Sequence, residues 1–396
     1  MAGHYRYIIV GRGMLGAAAA RHLADETDGV AIVGPSEPPD LARHTGVFAS
    51  HYDEARITRT IDHDPIWAAL AQRSIGRYAQ IEQDSGIDFY RETGCLIVGP
   101  ARGGVNPYIA NVCDAAEGLG VVAEMLDDRS LAGRFPYFVF EAGSEGVLEP
   151  RNAGYVNPRR MVAAQTVLAE RAGVAMIPET VVSVREAAGQ VSVTTAEGRT
   201  YTAEKVIVAA GGFSIAENLL PRPLDLKVYA RTVAFFEIPE IEENRYAGMP
   251  SLIVESHAPR DHIYLLPPVL YPDGRTYLKI GGDPDDLPLA SEPEVRAWFR
   301  GGGRESTRRH LSRIIDSLVP RLADVVSSMA ACVTSFTPSG YPAIGYAGSK
   351  RIAVLSGGCG AAAKSSDEIG RLGARLLLDG TIEGSDYGTD FRPHFL

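Results

Sequence analysis

The chain opens with an apolar run that leads directly into a glycine-rich turn and an alanine-rich segment. Residues 7–10 are followed by Gly11-Arg12-Gly13-Met14-Leu15-Gly16 and then by four alanines. In a strand–turn–helix unit, glycines at this spacing permit the turn, admit a pyrophosphate and let the helix pack against the strand. The free amides at the start of the helix then face the phosphates. The opening segment therefore predicts a Rossmann-like α/β unit that binds a dinucleotide.

The second predicted strand ends in a residue that is unusual for such a unit. Residues 30–33 form a short apolar run, and an acidic side chain that binds the ribose hydroxyls normally follows this strand. Here that position is Gly34, although Ser36 or Glu37 in the next turn could take the role. The departure weakens an NAD-binding interpretation more than an FAD-binding one.

The composition indicates a globular protein without a nucleic-acid or membrane partner. A chain of 396 residues with 45% hydrophobic content suits two or three domain-sized units. A net charge of −10 argues against nucleic acid and anionic membrane surfaces. No apolar run approaches the roughly 18 residues of a membrane span, and the first strand begins too early for a signal peptide. Four cysteines without a Cys-x-x-Cys pair argue against a disulfide framework or metal site, so we expect a reduced, cytoplasmic protein.

Periodicity along the rest of the chain predicts two domains, each built from separate segments. Asp64 followed by a proline is a helix-start signal, and a helix is predicted from there to about residue 84. Other predicted elements are helices at 108–119, 158–172 and 361–378, and strands at 95–98, 137–140, 190–195, 206–208, 230–238 and 330–336. Segments 1–85, 148–212 and 328–396 are expected to form the nucleotide-binding domain. Segments 86–147 and 213–327 are expected to form a mostly antiparallel second domain.

Several motifs occur in the order that is typical of one family of flavoenzymes. Besides the opening turn they are Arg56-Ile57-Thr58-Arg59, Gly154-Tyr155-Val156-Asn157-Pro158, Val208-Ala209-Ala210-Gly211, Tyr277-Leu278-Lys279-Ile280-Gly281, the segment around Cys332, and Gly357-Gly358-Cys359-Gly360 with Lys364. On these motifs the chain resembles the D-amino-acid-oxidase superfamily of FAD enzymes, in particular its branch of monomeric sarcosine oxidase and N-methyltryptophan oxidase. The resemblance implies a discontinuous Rossmann-like FAD-binding domain, a mostly antiparallel α+β substrate domain and a monomer.

The resemblance also implies which residues hold FAD. Cys332 matches the cysteine that forms a thioether to the flavin 8-methyl carbon, whereas its residue type alone would favour a small core residue. Cys359 lies in the glycine loop and is the less suitable candidate for this bond. The cofactor-binding residues expected are Gly11, Gly13, Met14, Leu15, Gly16, Ser36, Ser50, Arg56, Val182, Gly211, Cys332, Gly358, Cys359, Gly360 and Lys364.

Five side chains are expected to bind or act on the substrate. The resemblance implies that Arg56 lies against the flavin, that Arg59 and Lys364 grip a substrate carboxylate, and that Tyr264 lines the pocket. Guanidinium groups suit carboxylates because they donate two parallel charge-assisted hydrogen bonds. Lys279 matches the lysine that activates dioxygen, and Lys279, Arg56 and Tyr264 are the expected catalytic residues. From spacing alone, two solvated arginines on a surface turn would be the favoured interpretation. Strand alternation alone does not exclude that Lys279 lies on the solvent face of an edge strand.

Two pocket positions differ from the pattern of the family. Ala361 stands where the family usually has a histidine, and Thr334 where it usually has a tyrosine. Both replacements alter the expected substrate pocket. Sarcosine itself is therefore not the substrate that the sequence favours.

Together these features predict an FAD-dependent amine oxidase that acts on an N-alkyl or cyclic amino acid. Hydride transfer to flavin N5 would give an imine, and O2 would reoxidise the flavin and form hydrogen peroxide. One alternative is a dehydrogenase of an amino or 2-hydroxy acid with a quinone or protein acceptor. Another is a non-enzymatic flavin-binding subunit of a complex. The sequence contains neither Gly-x-Ser-x-Gly nor His-Glu-x-x-His.

Overall fold

The computed structural model describes residues 2–41, 43–323, 325–383 and 386–396. The strands in this part of the chain are β1 (Gly3–Val10), β2 (Val30–Val33), β3 (Arg56–Thr58), β4 (Tyr90–Arg91), β5 (Cys95–Pro100), β6 (Glu124–Leu126), β7 (Ser144–Glu149), β8 (Gly154–Val156), β9 (Ala175–Ile177), β10 (Val181–Ala187), β11 (Gln190–Thr195), β12 (Thr200–Val208), β13 (Lys227–Glu237), β14 (Ser251–Val254), β15 (Ile263–Leu270), β16 (Thr276–Gly281), β17 (Leu287–Leu289), β18 (Ser327–Phe336), β19 (Ala343–Tyr346) and β20 (Ile352–Ser356). The α-helices are α1 (Met14–Ala24), α2 (Pro65–Ser85), α3 (Tyr108–Gly118), α4 (Asp128–Arg134), α5 (Pro158–Arg171), α6 (Glu240–Glu243), α7 (Glu292–Arg300), α8 (Glu305–Leu318) and α9 (Ala362–Asp379). Among these helices, none has both the length and the apolar character needed to cross a membrane.

The first sheet is parallel at its centre, in the order β9–β2–β1–β12–β20. The hairpin of β10 and β11 is antiparallel to the first half of β12, and β19 is antiparallel to β20. The paired parts of the central strands, residues 7–10, 30–33, 206–208 and 352–354, are continuous apolar runs, as expected of a parallel sheet that is covered on both faces. The carboxyl ends of such strands form the edge where ligands bind in open α/β sheets.

A helix layer covers one face of the first sheet and fixes the position of the C-terminal helix. Gly370 in α9 lies directly against Ala18 in α1, where any side chain would overlap the alanine. Asp367 of α9 is fully buried and pairs with Arg21 of α1 at 2.7 Å and with Arg77 of α2 at 2.5 Å. A buried carboxylate needs such partners, because an unpaired charge in the interior is costly. The network anchors the first turns of α9, which carry Lys364.

The second sheet is mostly antiparallel, in the order β17–β13–β16–β15–β14–β5–β7–β6. The pair β14–β5 is parallel, and α8 packs Leu311, Ile315 and Leu318 into the core beneath the sheet. The combination of a parallel α/β layer with a mostly antiparallel layer confirms the predicted fold class.

Strand β18 belongs to the second sheet, because it pairs with β13 along its whole length. The division proposed from the sequence assigns residues 328–396 to the FAD-binding segments. We keep the two-domain division as a proposal, with this strand moved to the substrate domain.

The strand predicted at residues 137–140 is wrong. This segment runs as a loop in which Phe138 is buried and Val139 is 58% exposed. The amide of Phe138 donates to the carbonyl of Phe135, and the amide of Val139 donates to Leu318. Alternating burial therefore arises here without pairing to a neighbouring strand.

Candidate active site

A cavity of about 1080 Å³ lies between the two sheets. Its walls come from the carboxyl ends of β1, β2 and β12, the loop at residues 47–59, strands of the second sheet, and the glycine loop before α9. Most residues expected from the sequence line it: Gly11, Gly13, Met14, Leu15, Ser50, Arg56, Arg59, Val182, Gly211, Tyr264, Cys332, Gly358, Gly360 and Lys364.

Four of the expected residues are not among those that line the cavity: Gly16, Ser36, Lys279 and Cys359. A side chain at Gly16 would overlap the carbonyl oxygen of Gly11, so this glycine serves the packing of α1 on β1. Ser36 is exposed, and Cys359 is turned back toward its own loop, with its Sγ atom 3.3 Å from the carbonyl oxygen of Gly357.

The start of α1 offers unused donors to the cavity. Gly13 occupies the N-cap position, and no side chain caps the helix. His51 lies beside it: its buried Nδ1 atom has no hydrogen-bond partner and lies 3.9 Å from where a side chain of Gly13 would begin. Burial, reinforced by nearby arginines, lowers the pKa of His51 to about 3, so the imidazole is neutral. Free amides and an unpartnered ring nitrogen suit the diphosphate of a dinucleotide.

Gly34, the residue that replaces the usual acidic group, is explained by Arg12. A side chain at Gly34 would come within 2.9 Å of the backbone nitrogen of Arg12. The Arg12 guanidinium lies over this position and reaches the Gly34 carbonyl and the Ser36 hydroxyl, each at 3.5 Å. Arg12 lines the cavity, so a cationic side chain stands near the place where an acidic one was expected.

Arg59 and Lys364 lie side by side, because both contact one oxygen of Asp62. The Oδ2 atom of Asp62 is 3.0 Å from Nη2 of Arg59 and 3.1 Å from Nζ of Lys364. Lys364 also donates to the carbonyl oxygen of Trp67 at 3.0 Å. Burial lowers the pKa of Lys364 to about 8, against the opposing effect of Asp62. The chain thus forms a cationic pair on the cavity wall, at the place where a carboxylate clamp was expected.

Lys279 is buried one layer behind the cavity wall. It is 1% exposed, and its Nζ atom pairs with Oδ2 of Asp53 at 2.7 Å and donates to the carbonyl oxygen of Ala55. Asp53 also pairs with Arg56, which does line the cavity. Burial and the neighbouring Arg56 lower the pKa of Lys279 well below its usual value. The exposed edge-strand alternative is therefore wrong, and Asp53 links this lysine to Arg56, which lines the cavity.

Tyr264 lies flat against the second sheet, because its strand partner is a glycine. Tyr264 of β15 is opposite Gly281 of β16, where any side chain would overlap the tyrosine ring. Burial raises the pKa of Tyr264 to about 12, so its hydroxyl stays protonated and can donate a hydrogen bond into the cavity.

Cys332 lies on β18 with its side chain on the cavity wall. Its Sγ atom is 3.8 Å from Nη2 of Arg56, and its carbonyl oxygen accepts a hydrogen bond from Nε1 of Trp298 at 2.8 Å. Cys359, by contrast, does not line the cavity. Of the two cysteines considered in the sequence, only Cys332 is thus placed where a cofactor could reach it.

The acidic turn after β16 is held by arginines. Asp285 pairs with Arg304 and Asp286 with Arg231, while Asp283 accepts from the amide of Thr232 at 3.2 Å. In the part of the chain that the structure describes, no group of three or more His, Cys, Asp or Glu side chains is placed to hold a metal ion.

The sequence did not identify Asp53 and Asp62, the two carboxylates that hold the expected lysines. Each lies three residues from an arginine of the Arg-Ile-Thr-Arg motif, and this regular spacing is the only signal for them. Their lysine partners lie far away in the chain. Lys279 is 226 residues after Asp53, and Lys364 is 302 residues after Asp62.

The glycine turn, the uncapped helix and a large cavity between two sheets are typical of the class of dinucleotide-binding proteins. A family model described as FAD dependent oxidoreductase, DAO, matches residues 6–376. The chain is 26% identical over 387 residues to the monomeric sarcosine oxidase of Bacillus sp. (strain NS-129), covering 97% of this chain and 95% of the relative. The chain belongs to the DAO family of FAD-dependent oxidoreductases.

Solved structures share the fold at low sequence identity. NikD, described as an unusual amino acid oxidase essential for nikkomycin biosynthesis, matches with a TM-score of 0.78 and 21% identity over 99% of this chain and 98% of its own. The L-proline dehydrogenase of P. horikoshii matches with a TM-score of 0.75 and 16% identity over 97% and 96%.

The described residues fit FAD. The His51 nitrogen without a partner and the free amides of α1 meet the needs of the diphosphate. The second helix start that faces the cavity, at α9, is also uncapped by any side chain. Helix N-termini of this kind stabilise negative charge nearby, and a reduced flavin carries such charge.

Gly16→Ala is expected to abolish FAD retention, because the new methyl group would overlap the Gly11 carbonyl and push α1 off β1. The measurement is the ratio of flavin to protein absorbance after purification. Gly76→Ala is the matched control: Gly76 is a helical glycine of α2 with open space around it. This control should retain FAD and gain roughly 0.5–1 kcal/mol of stability, and equal FAD retention in both variants would contradict the packing role of Gly16.

Proposed function

We propose that the protein is an amine oxidase that acts on an N-alkyl or cyclic amino acid. One observation carries this proposal: Arg59 and Lys364 lie side by side on the cavity wall. Two adjacent cations with unused donors are suited to a carboxylate. Relatives whose names refer to sarcosine oxidase and N-methyl-L-tryptophan oxidase support the choice of a secondary amine.

The chain's own residues would bind and orient such a substrate. Arg59 and Lys364 hold the carboxylate, and the Tyr264 hydroxyl donates a hydrogen bond toward the pocket. The positive charge of Arg56 and burial in the cavity disfavour an ammonium group, so the amine is held in its neutral form. FAD, when bound, would supply the two-electron acceptor for oxidation at the carbon next to nitrogen, with O2 as the final oxidant. Placing the reacting carbon is the protein's main contribution.

A dehydrogenase is the second candidate, and the burial of Lys279 favours it. The ammonium group lies behind the cavity wall and is paired with Asp53, so its charge is partly compensated. The similar fold of an L-proline dehydrogenase fits the same candidate. Hydrogen peroxide formed per substrate consumed in air separates the two: a ratio near one supports the oxidase, and a ratio near zero supports the dehydrogenase.

The organisation of the protein is part of the same proposal. We propose a monomer located in the cytoplasm, with an FAD-binding domain and a substrate domain. The name of the Bacillus relative, which describes that protein as monomeric, supports the first point.

We also propose a covalent bond between Cys332 and the flavin. The denatured wild-type protein should then retain its yellow colour, whereas Cys332→Ala should release all of its flavin on denaturation. Cys359→Ala is the matched control and should behave as wild type, because Cys359 does not line the cavity. Absorbance of the supernatant after acid precipitation measures the released flavin, and full release from the wild type would contradict the linkage.

Binding of a carboxylate should weaken as the pH rises through about 8. Lys364, whose pKa burial lowers to about 8, is charged below this pH and neutral above it. Losing one charge-assisted hydrogen bond, worth roughly 1.5–3 kcal/mol, should raise the Kd of propionate at least about tenfold between pH 7 and 9.5. Perturbation of the flavin spectrum measures the Kd. Propionamide, which carries no charge, is the control ligand, and a propionate Kd independent of pH would exclude Lys364 from the clamp.

A further inference from the structure

Asp62 contacts both cations of the proposed carboxylate clamp, Arg59 and Lys364. It contacts Arg59 and Lys364 through the same oxygen, at 3.0 and 3.1 Å. Arg59 and Lys364 are among the residues that line the cavity, whereas Asp62 is not. The carboxylate is therefore an internal counter-ion on the protein side of the clamp.

Asp62 is fixed by its other oxygen as well. Its Oδ1 atom accepts from the amide of Asp64 at 3.3 Å and lies 3.1 Å from Nδ1 of His63. Burial alone would raise the pKa of Asp62, but Lys364 and Arg59 hold it well below its usual value. Asp62 is therefore ionised at neutral pH, and its four contacts keep it in place.

Each clamp cation keeps a donor for a ligand. The Nε atom of Arg59 is buried and has no hydrogen-bond partner. The Lys364 ammonium has three donors, of which Asp62 and the Trp67 carbonyl take two. The two cations can therefore bind a substrate carboxylate although Asp62 already accepts from some of their donors.

The charges around the clamp sum to about one positive charge. Arg59 and Lys364 contribute two, and Asp62 removes one. Glu255 pairs with His262 at 3.2 Å and Glu149 accepts from the amides of Thr60 and Ile61, so neither adds positive charge to the clamp. His63 contacts Asp62, which raises the pKa of this histidine, but its side chain is exposed and solvent screens its charge. One substrate carboxylate neutralises the clamp, and a second one would be a charge without a partner, which is costly at a buried site.

We propose that Asp62 sets the net charge of the clamp and thereby selects substrates with a single carboxylate over dicarboxylates. This inference rests on the proposed function, because it assumes that the clamp binds the substrate carboxylate. Asp62 acts through Arg59 and Lys364, so it is a positioning and specificity-determining residue.

Two redox-inert ligands of similar size test the inference on the FAD-loaded protein. Near pH 7 propionate is a monoanion and malonate a dianion, and each Kd is read from perturbation of the flavin spectrum. The wild type should bind propionate at least about tenfold more tightly than malonate. Equal or tighter binding of malonate would overturn the proposal, and so would the absence of any binding of either ligand.

Asp62→Asn raises the clamp charge by one unit while keeping the shape of the side chain, and it should shift the Kd ratio at least about tenfold toward malonate. If Asp62 had a purely structural role, Asp62→Asn would weaken the binding of both ligands alike and leave the ratio of their Kd values unchanged. That result would overturn the inference. Asp114→Asn, which removes an exposed carboxylate from α3, is the control for overall charge and should keep the wild-type ratio. If Asp62→Asn does not fold, the ratio of the malonate and propionate Kd values in the wild type still tests the inference.

These outcomes separate the inference from the proposed function. Binding of inert ligands is measured without turnover, so the ranking of propionate and malonate can be correct while no amine is oxidised. Conversely, an active amine oxidase that binds malonate more tightly than propionate would retain the proposed function and lose the role of Asp62.

Discussion

Arg59→Ala is expected to lower kcat/KM for a secondary amino acid by about a thousandfold. Removing one partner of a buried, hydrogen-bonded charge pair costs roughly 2–5 kcal/mol, and about 4 kcal/mol corresponds to this factor. The fold should persist, because Asp62 keeps Lys364 as its partner at 3.1 Å. Steady-state kinetics with an N-methyl amino acid and with the corresponding amine that lacks the carboxylate provide the measurement.

The comparison of the two substrates identifies the cause of the loss. The amine without a carboxylate should react poorly with the wild type and no worse with Arg59→Ala. Arg275→Ala is the matched control: Arg275 is 60% exposed and pairs with Glu237 on the surface, where such pairs contribute little. An equal loss for both substrates in Arg59→Ala would mean that Arg59 does not bind the carboxylate.

Lys279→Met is expected to slow the reaction of the reduced enzyme with O2 by up to about thirtyfold while leaving anaerobic flavin reduction nearly unchanged. At an effective dielectric constant of about 20, two unit charges roughly 8 Å apart interact by about 2 kcal/mol, a factor of about thirty in rate. The pairing of Lys279 with Asp53 makes this an upper value. The charge favours electron transfer to O2 because negative charge develops there. Stopped-flow absorbance measures the two half-reactions separately.

The control for this prediction is another lysine of the second sheet. Lys227, at the start of β13, is exposed, and Lys227→Met should leave both half-reactions unchanged. If Lys279→Met reacts with O2 as fast as the wild type, the charge behind the wall has no part in oxygen activation. If the reduced wild-type enzyme itself reacts slowly with O2, the dehydrogenase candidate is favoured.

Local signals in the sequence were sufficient for the elements that begin the site. The glycine turn predicts the end of β1 and the start of α1, and Asp64 caps α2 through the amides of Ile66 and Trp67 as the sequence suggests. These features depend on neighbours within a few residues. The apolar runs of the parallel strands are visible for the same reason.

Features that depend on distant parts of the chain could not be predicted. The strand of Cys332 joins the second sheet because it pairs with β13, about a hundred residues earlier in the chain. No local sequence pattern identifies that partner strand. Whether Lys279 faces solvent or the interior was open for the same reason, since only Asp53 and Ala55 explain its burial. The segment at 137–140 shows the converse: a run of aromatic and apolar residues predicted a strand where the structure has a loop whose side chains fill a core.

The central claim is that FAD in this cavity oxidises an amino acid with a secondary amine, and an anaerobic titration tests it most directly. The FAD-loaded protein is mixed without O2 with sarcosine, N-methyl-L-tryptophan, L-proline and, for each, the amine lacking its carboxylate, while the flavin absorbance is followed. We expect at least one amino acid to bleach the flavin with one molecule per flavin, and its carboxylate-free counterpart to do so far more slowly. A protein that retains FAD and is bleached by none of them, or equally by the carboxylate-free amines, would contradict the claim.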